Sequence, residues 1–180
     1  MKFGNPETFA VEAIVQPIGR HIGFGQIRVL VGDLELGDFS IEHCSLHHPI
    51  EDLERLVNEA PLQWDVTFEG LTEIQIYELL NNALFMDAGQ SEEQVATDSC
   101  RYRRFSLLTN SSEHFDGFKV FAYCKSSIIY FVARLPNDDI KAASCAFAPL
   151  VRTISELRAW FDGACTQQSV QDGAVKPCIS

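Results

Sequence analysis

No apolar run in this 180-residue chain reaches the ~18–20 residues that crossing a bilayer requires, so a membrane-spanning helix is not expected. The first residues, Met1 to Ala13, contain Lys2 but no long apolar core, and Glu7 and Glu12 stand early. That pattern predicts neither a secretory signal nor a mitochondrial presequence, and the expected compartment is the cytoplasm. The six cysteines, Cys44, Cys100, Cys124, Cys145, Cys165 and Cys178, include no C-x-x-C pair. Scattered thiols in a chain of this length read as reduced residues rather than a disulfide framework. Cys124 and Cys145 sit in apolar stretches, where the thiol acts as a small hydrophobe. Cations are scarce: 14 Lys and Arg face 25 Asp and Glu, a formal charge of −11. Phosphate backbones repel such a surface, which argues against direct nucleic-acid binding. A basic protein partner would be steered towards it. Internal repeats, low-complexity tracts, G-x-G-x-x-G, the P-loop and the G-x-S-x-G elbow are all missing.

What is present is patterned. Phe9, Val11, Ala13 and Val15 alternate and predict a strand over 8–16, and 25–31 predicts another. Gly32-Asp33 is a two-residue hairpin loop leading into Leu34–Leu36. Residues 49–60 predict a helix with Pro49 at its first position, acids in its first turn, and an apolar stripe of Ile50, Leu53, Leu56 and Val57. A short strand is expected over 62–68. Thr72-x-x-Gln75 is a capping box that opens a second helix through Phe85. Residues 87–99, small and acidic, read as the main internal loop. Strands are expected at 101–109, 118–124 and 127–135, the last two joined at Lys125-Ser126 and the last one central. Residues 136–144 read as a polar loop. A final helix is expected from the box Thr153-x-x-Glu156, with Gly163 just past its end. The order predicts an α+β fold, mainly an antiparallel sheet packed against about three helices. It would form a single domain over 1–165, with 166–180 a flexible tail.

Chemistry is harder to find. His43, Cys44, His47 and His48 are metal-ligating types, and a small metal-dependent hydrolase is the enzymatic alternative. Their spacing matches no zinc pattern, and one loop supplies ligands from one side only. The adjacent carboxylates Glu51-Asp52, Glu92-Glu93 and Asp138-Asp139 do not converge, because neighbours on a helix diverge. Arg101, Arg103 and Arg104 interleave with Tyr102 and Phe105. Three arginines are thin support for single-strand binding, and they read as partners of local carboxylates or as a charged strand edge. His114-Phe115-Asp116-Gly117 reads first as a turn, since Asp-Gly is favoured there. No catalytic set, metal or cofactor emerges, and the chain is expected not to be an enzyme. A regulatory binding module without a toxin partner is a further alternative.

Three short elements occur in a telling order. Phe3, Gly4, Pro6, Phe9 and Ala10 form an F-G-x-P opening into a strand. Gly37, Asp38 and Phe39 follow the hairpin. Phe115, Asp116, Gly117 and Phe118 form an aromatic-Asp-Gly-aromatic corner. Together they resemble the immunity protein 42 family of bacterial polymorphic toxin systems, across most of residues 1–135. Where Phe118 stands, the family pattern has Trp more often. The resemblance implies a cytoplasmic protein that binds and blocks the C-terminal domain of a cognate toxin without chemistry of its own. Many such toxins are nucleases with basic clefts, which an acidic inhibitor can cover. Exposed acids are then the expected toxin-binding residues: Asp33, Glu35, Asp38, Glu92, Glu93, Asp116 and Asp138.

Overall fold

The computed structural model describes residues 1–16, 18, 23–60, 63–86 and 89–172. The α+β class is as read from the sequence, with two antiparallel sheets and four α-helices among the described residues. The first sheet holds β1 (Lys2–Asn5), β2 (Phe9–Val15), β3 (Phe24–Val31) and β4 (Leu34–Leu36) in that order, with β5 (Cys44–Ser45) also paired to β3. The second holds β6 (Ser106–Leu107), β7 (Lys119–Lys125), β8 (Ile128–Arg134) and β9 (Ile140–Ala146). The helices are α1 (His47–Glu59), α2 (Glu73–Phe85), α3 (Glu92–Tyr102) and α4 (Phe147–Asp172).

The period-two pattern explains the layering. Phe9, Val11 and Ala13 on β2, with Ile27, Val29 and Val31 on β3, point to one side and are fully buried. They meet Val120, Ala122, Ile129, Phe131 and Ala133 of the second sheet, and Phe9 stacks on Phe131 with ring centroids 6.0 Å apart. Leu53 and Leu56 of α1 and Leu157 and Phe161 of α4 complete this core. The intervening residues of the second sheet, Phe121, Tyr123 and Val132, face the other way. They pack on Phe68, Ile76, Tyr77, Leu80, Tyr102 and Phe105. The second sheet is therefore covered on both faces. That is why β8 reads as an almost unbroken apolar run, as a central strand should.

Turns follow the predicted chemistry where it is local. Val31 pairs with Leu34 across the two-residue loop Gly32-Asp33. The β7–β8 turn is Ser126-Ser127, one residue later than expected, with both residues at positive φ (53° and 64°). The Thr72–Gln75 capping box is present in both directions.

Several expected elements differ. The strand expected over 62–68 is not formed by its described residues, 63–68: Val66–Phe68 is a 3-10 turn whose N-cap Asp65 accepts from the Thr67 amide at 3.0 Å. Most of the expected 87–99 loop is α3, capped by Ser91 accepting from the Gln94 amide at 3.2 Å. Arg103–Phe105 is also a 3-10 turn, which leaves only Ser106–Leu107 of the expected 101–109 strand. The 136–144 loop gives way to β9, an edge strand in which only Cys145 is buried. The first helix begins at His47, so Pro49 is its third residue and its first turn holds no acid. The last helix begins at Phe147, six residues before Thr153, and Gly163 lies within it. This helix continues to Asp172, through the start of the expected tail, and residues 173–180 lie outside the described residues.

Candidate functional site

The residues behind the family resemblance are architectural. Phe3 packs on Trp160 with ring centroids 5.4 Å apart. A Cβ on Gly4 would stand 2.4 Å from the Phe9 carbonyl oxygen and 2.5 Å from Thr153 Oγ1, so only glycine lets α4 approach β1. Gly37, at φ +100°, lies against the Phe115 ring, where a Cβ would come within 3.0 Å. Beside it the Asp38 amide donates to the His114 carbonyl at 2.7 Å. The second and third sequence elements therefore meet in space. Glu113–Phe115 is a 3-10 turn, and its carbonyls at Glu113 and Phe115 take the amides of Asp116 and Phe118. The corner is a turn, as its Asp-Gly pair predicts. Phe115 and His114 are completely buried beneath it.

His114 Nδ1 lies 3.0 Å from Ser112 Oγ. Burial holds the imidazole below its ordinary pKa. The carbonyls of Gly25 and Ile41 and the carboxylates of Glu113 and Asp38 favour the charged ring. Among the described residues no group meets Nε2 with hydrogen-bond geometry, however, and burial dominates. Cys44 lies beside Glu113 and Asp116, and its thiol is pushed up to about 11, mainly by burial. It is a protonated core thiol rather than a nucleophile.

The other metal-ligating types have separate duties. His47 meets Phe161 edge-on at 4.9 Å, His48 lies 3.6 Å from Glu51, and His43 lies 3.8 Å from Glu42. Among the described residues, no three His, Cys, Asp or Glu side chains converge on a point where an ion could sit. His21 and Cys178 lie outside those residues. Asp52 does not serve the helix dipole: it accepts from the Leu108 amide at 3.1 Å and from Arg55 at 3.2 Å.

The seven expected toxin-binding acids fall into different settings. Glu35 is engaged, with Glu12, by Arg28, and Asp138 receives both Nε and Nη2 of Arg134. Asp38 is exposed and accepts from the Ser40 amide and hydroxyl. Asp33 tips the β3–β4 hairpin, and Asp116 stands exposed on the corner above Cys44. Glu92 and Glu93 form the first turn of α3. Composition along the chain sharpens this picture. Residues 66–100 hold seven acids (Glu69, Glu73, Glu78, Asp87, Glu92, Glu93 and Asp98) and no Lys, Arg or His. That one stretch carries −7 of the −11. Its described residues build the helical layer outside the second sheet.

The three arginines sit where this layer ends. Arg101 clamps Asp65 with Nε–Oδ2 at 2.9 Å and Nη2–Oδ1 at 2.5 Å, which holds that carboxyl well below the usual range. Arg104 lies over the Phe105 ring at 4.8 Å. Arg103 is exposed and has no ion pair among the described residues. It lines an open cleft of about 930 Å³ with Arg55, Phe85 and Cys100.

The comparisons with known proteins agree with this architecture. The model of the family described as immunity protein 42 matches residues 1–160. The chain belongs to the immunity protein 42 family. It is thus a toxin-neutralising immunity protein, and its partner is a cognate toxin. Among solved structures, a crystal structure of CdiI from Burkholderia dolosa AUO158 superposes with a TM-score of 0.62 at 15% identity. The match covers 88% of this chain and 99% of that one, so the two share a fold. Among curated proteins no match was found. No helix among the described residues of this immunity protein is long and apolar enough to cross a membrane.

Proposed function

We propose that this immunity protein acts in the cytoplasm by stoichiometric, non-catalytic binding of a basic C-terminal domain of its toxin. The domain doing this is residues 1–165, close to the span that the family model matches. The observation that carries the reading is the charge, −11 overall, with acids exposed at every setting described above. Opposite charge on the two partners raises the association rate and disfavours wrong partners. A nuclease is the toxin class that fits best, because a phosphate-binding cleft presents such a basic surface. Of the seven acids expected from sequence, Asp33, Asp38, Glu92, Glu93 and Asp116 have no ion pair among the described residues, which leaves them available to a cation from outside. Glu35 and Asp138 already hold an arginine.

The test is co-expression with the C-terminal domain of the toxin encoded beside this chain, with the tag on the toxin only. The expected result is restored growth and a one-to-one complex whose affinity falls as salt rises. A toxin that elutes alone and still kills its host refutes the reading.

A further inference from the structure

The outer helix pair, α2 with α3, is an unusual layer. Of the eleven residues of α3, only Tyr102 is buried. A helix this short is marginal on its own and normally owes its stability to a buried face. This one is held instead by its Ser91 cap, by Tyr102 and by the Arg101–Asp65 clamp. Its middle, Val95 to Thr97, is exposed, with Val95 at 48%. On the neighbouring α2, Ile74 and Phe85 are exposed at 51% and 38%, and Met86 just beyond its end at 49%. Val66, in the turn before α2, is exposed at 67%. Five of the nine large apolar side chains exposed among the described residues thus belong to one layer.

We propose that this α2–α3 face is the surface on which the toxin docks. The inference rests on the stoichiometric-binding reading above and adds where the contact lies. The apolar side chains provide the area that a stable interface buries at its centre. The charge identifies the occupant. Glu73, Glu78, Glu92 and Glu93 are exposed on the same two helices and form no ion pair among the described residues. The layer's own stretch carries no cation to offset them, and Lys119 of β7, which packs on it, is held at the C-terminal end of α2 by Asn81 and the Phe85 ring. A basic surface with apolar residues among its Lys and Arg matches this pattern, and an acidic one is repelled. The outer face of the first sheet differs in kind. Its Glu12 and Glu35 are already neutralised by Lys2 and Arg28, so it offers little steering. Arg101 and Arg103 bound the acidic face on the α3 C-terminal side and set the limit of the footprint.

Two variants with the same change in total charge separate local docking from bulk attraction. Glu78→Lys/Glu93→Lys reverses the proposed face. Glu7→Lys/Glu42→Lys reverses two exposed acids on loops of the first sheet that are not among the expected toxin-binding acids. A third variant, Val95→Ser/Ile74→Ser, removes exposed apolar area only. All three alter exposed side chains, and thermal unfolding confirms that each is folded. Association with the tagged toxin C-terminal domain is followed by surface plasmon resonance at two salt concentrations. The α2–α3 reversal is expected to slow association tenfold or more at low salt and to flatten the salt dependence. The first-sheet reversal is expected to change the rate less than threefold. The apolar variant is expected to raise the dissociation rate at least tenfold. Equal effects of the two reversals, or none from the apolar variant, overturn the docking face while the wild-type complex still stands. Failure of the wild-type chain to bind at all refutes the stoichiometric reading, and the face with it.

Discussion

His114 makes the stability of this protein depend on pH in a window where most proteins are flat. The side chain is completely buried and its folded pKa is below the ordinary 6.5. Between those two values the unfolded chain binds a proton that the folded protein refuses. Stability therefore rises with pH there, and it is lost as pH falls from about 6.5 towards the folded pKa. The limiting slope for one group is about 1.4 kcal/mol per pH unit. Neighbouring groups do not obscure it. Glu113 and Asp38 are shifted down and keep their charge through the window, and the Cys44 thiol stays protonated. With a urea slope of about 2–3 kcal/mol per M for a chain of this size, the unfolding midpoint falls by about 0.5 M per pH unit. The assay is urea denaturation at several pH values between 7.5 and 5.5, on the wild type and on His114→Gln. Comparing slopes removes any uniform cost of the substitution. The wild type is expected to lose stability more steeply than the variant. Parallel losses in the two proteins would show that His114 is not the titrating group and that its burial has no energetic consequence.

Other predictions test the layers one at a time. Phe131→Ala empties a fully buried site between the sheets, where the ring stacks on Phe9. It is expected to cost about 3–5 kcal/mol and, at about 2–4 °C per kcal/mol for this length, to lower the melting temperature by roughly 10 °C. A drop under about 3 °C in a circular dichroism melt would contradict the two-sheet core. Asp65→Ala removes the cap of the 3-10 turn and the anchor of Arg101. It is expected to cost about 1 kcal/mol for the cap and to speed amide exchange in α3 while α2 keeps its protection. Because the Asp65 pKa is depressed, its stabilisation is present above the ordinary carboxylate range and fades as pH falls below it. The variant should accordingly lose part of the wild type's acid sensitivity.

Elements with their own local signal were legible from the sequence. β2 and β3 show strict alternation, β8 an apolar run that matches its coverage on both faces, and α2 a capping box at Thr72. The differences arise where context outweighs local pattern. α3 has no apolar stripe because it buries only Tyr102. The one available sign was Ser91 followed by two acids, a capped and dipole-matched start. β9 looks like a polar loop because an edge strand needs few buried side chains. α1 and α4 begin earlier than predicted because Pro49 and Pro149 are both tolerated at the third helical position, where the amide has no partner within the helix. At the candidate surface, exposed acids could be named from sequence. Which of them already hold an arginine could not, since Arg134–Asp138 and Arg28–Glu35 depend on folded geometry.

The proposed docking face puts partner choice on residues other than those that carry the family resemblance. Phe3, Gly4, Phe9, Gly37 and Phe115 are what make the sequence resemble its family, and each is buried or pressed against a neighbour. A substitution there costs packing or strain, whatever toxin is bound. The exposed positions of α3 carry no such cost, because the helix contributes only Tyr102 to the core. Specificity is a difference of affinities between right and wrong partners, and it is tuned most easily where a change leaves the fold intact. A helix that is capped, clamped at one end and otherwise free of the core meets that condition. The same physical fact that hid α3 from sequence reasoning, its lack of a buried face, makes it suited to carry the toxin contact.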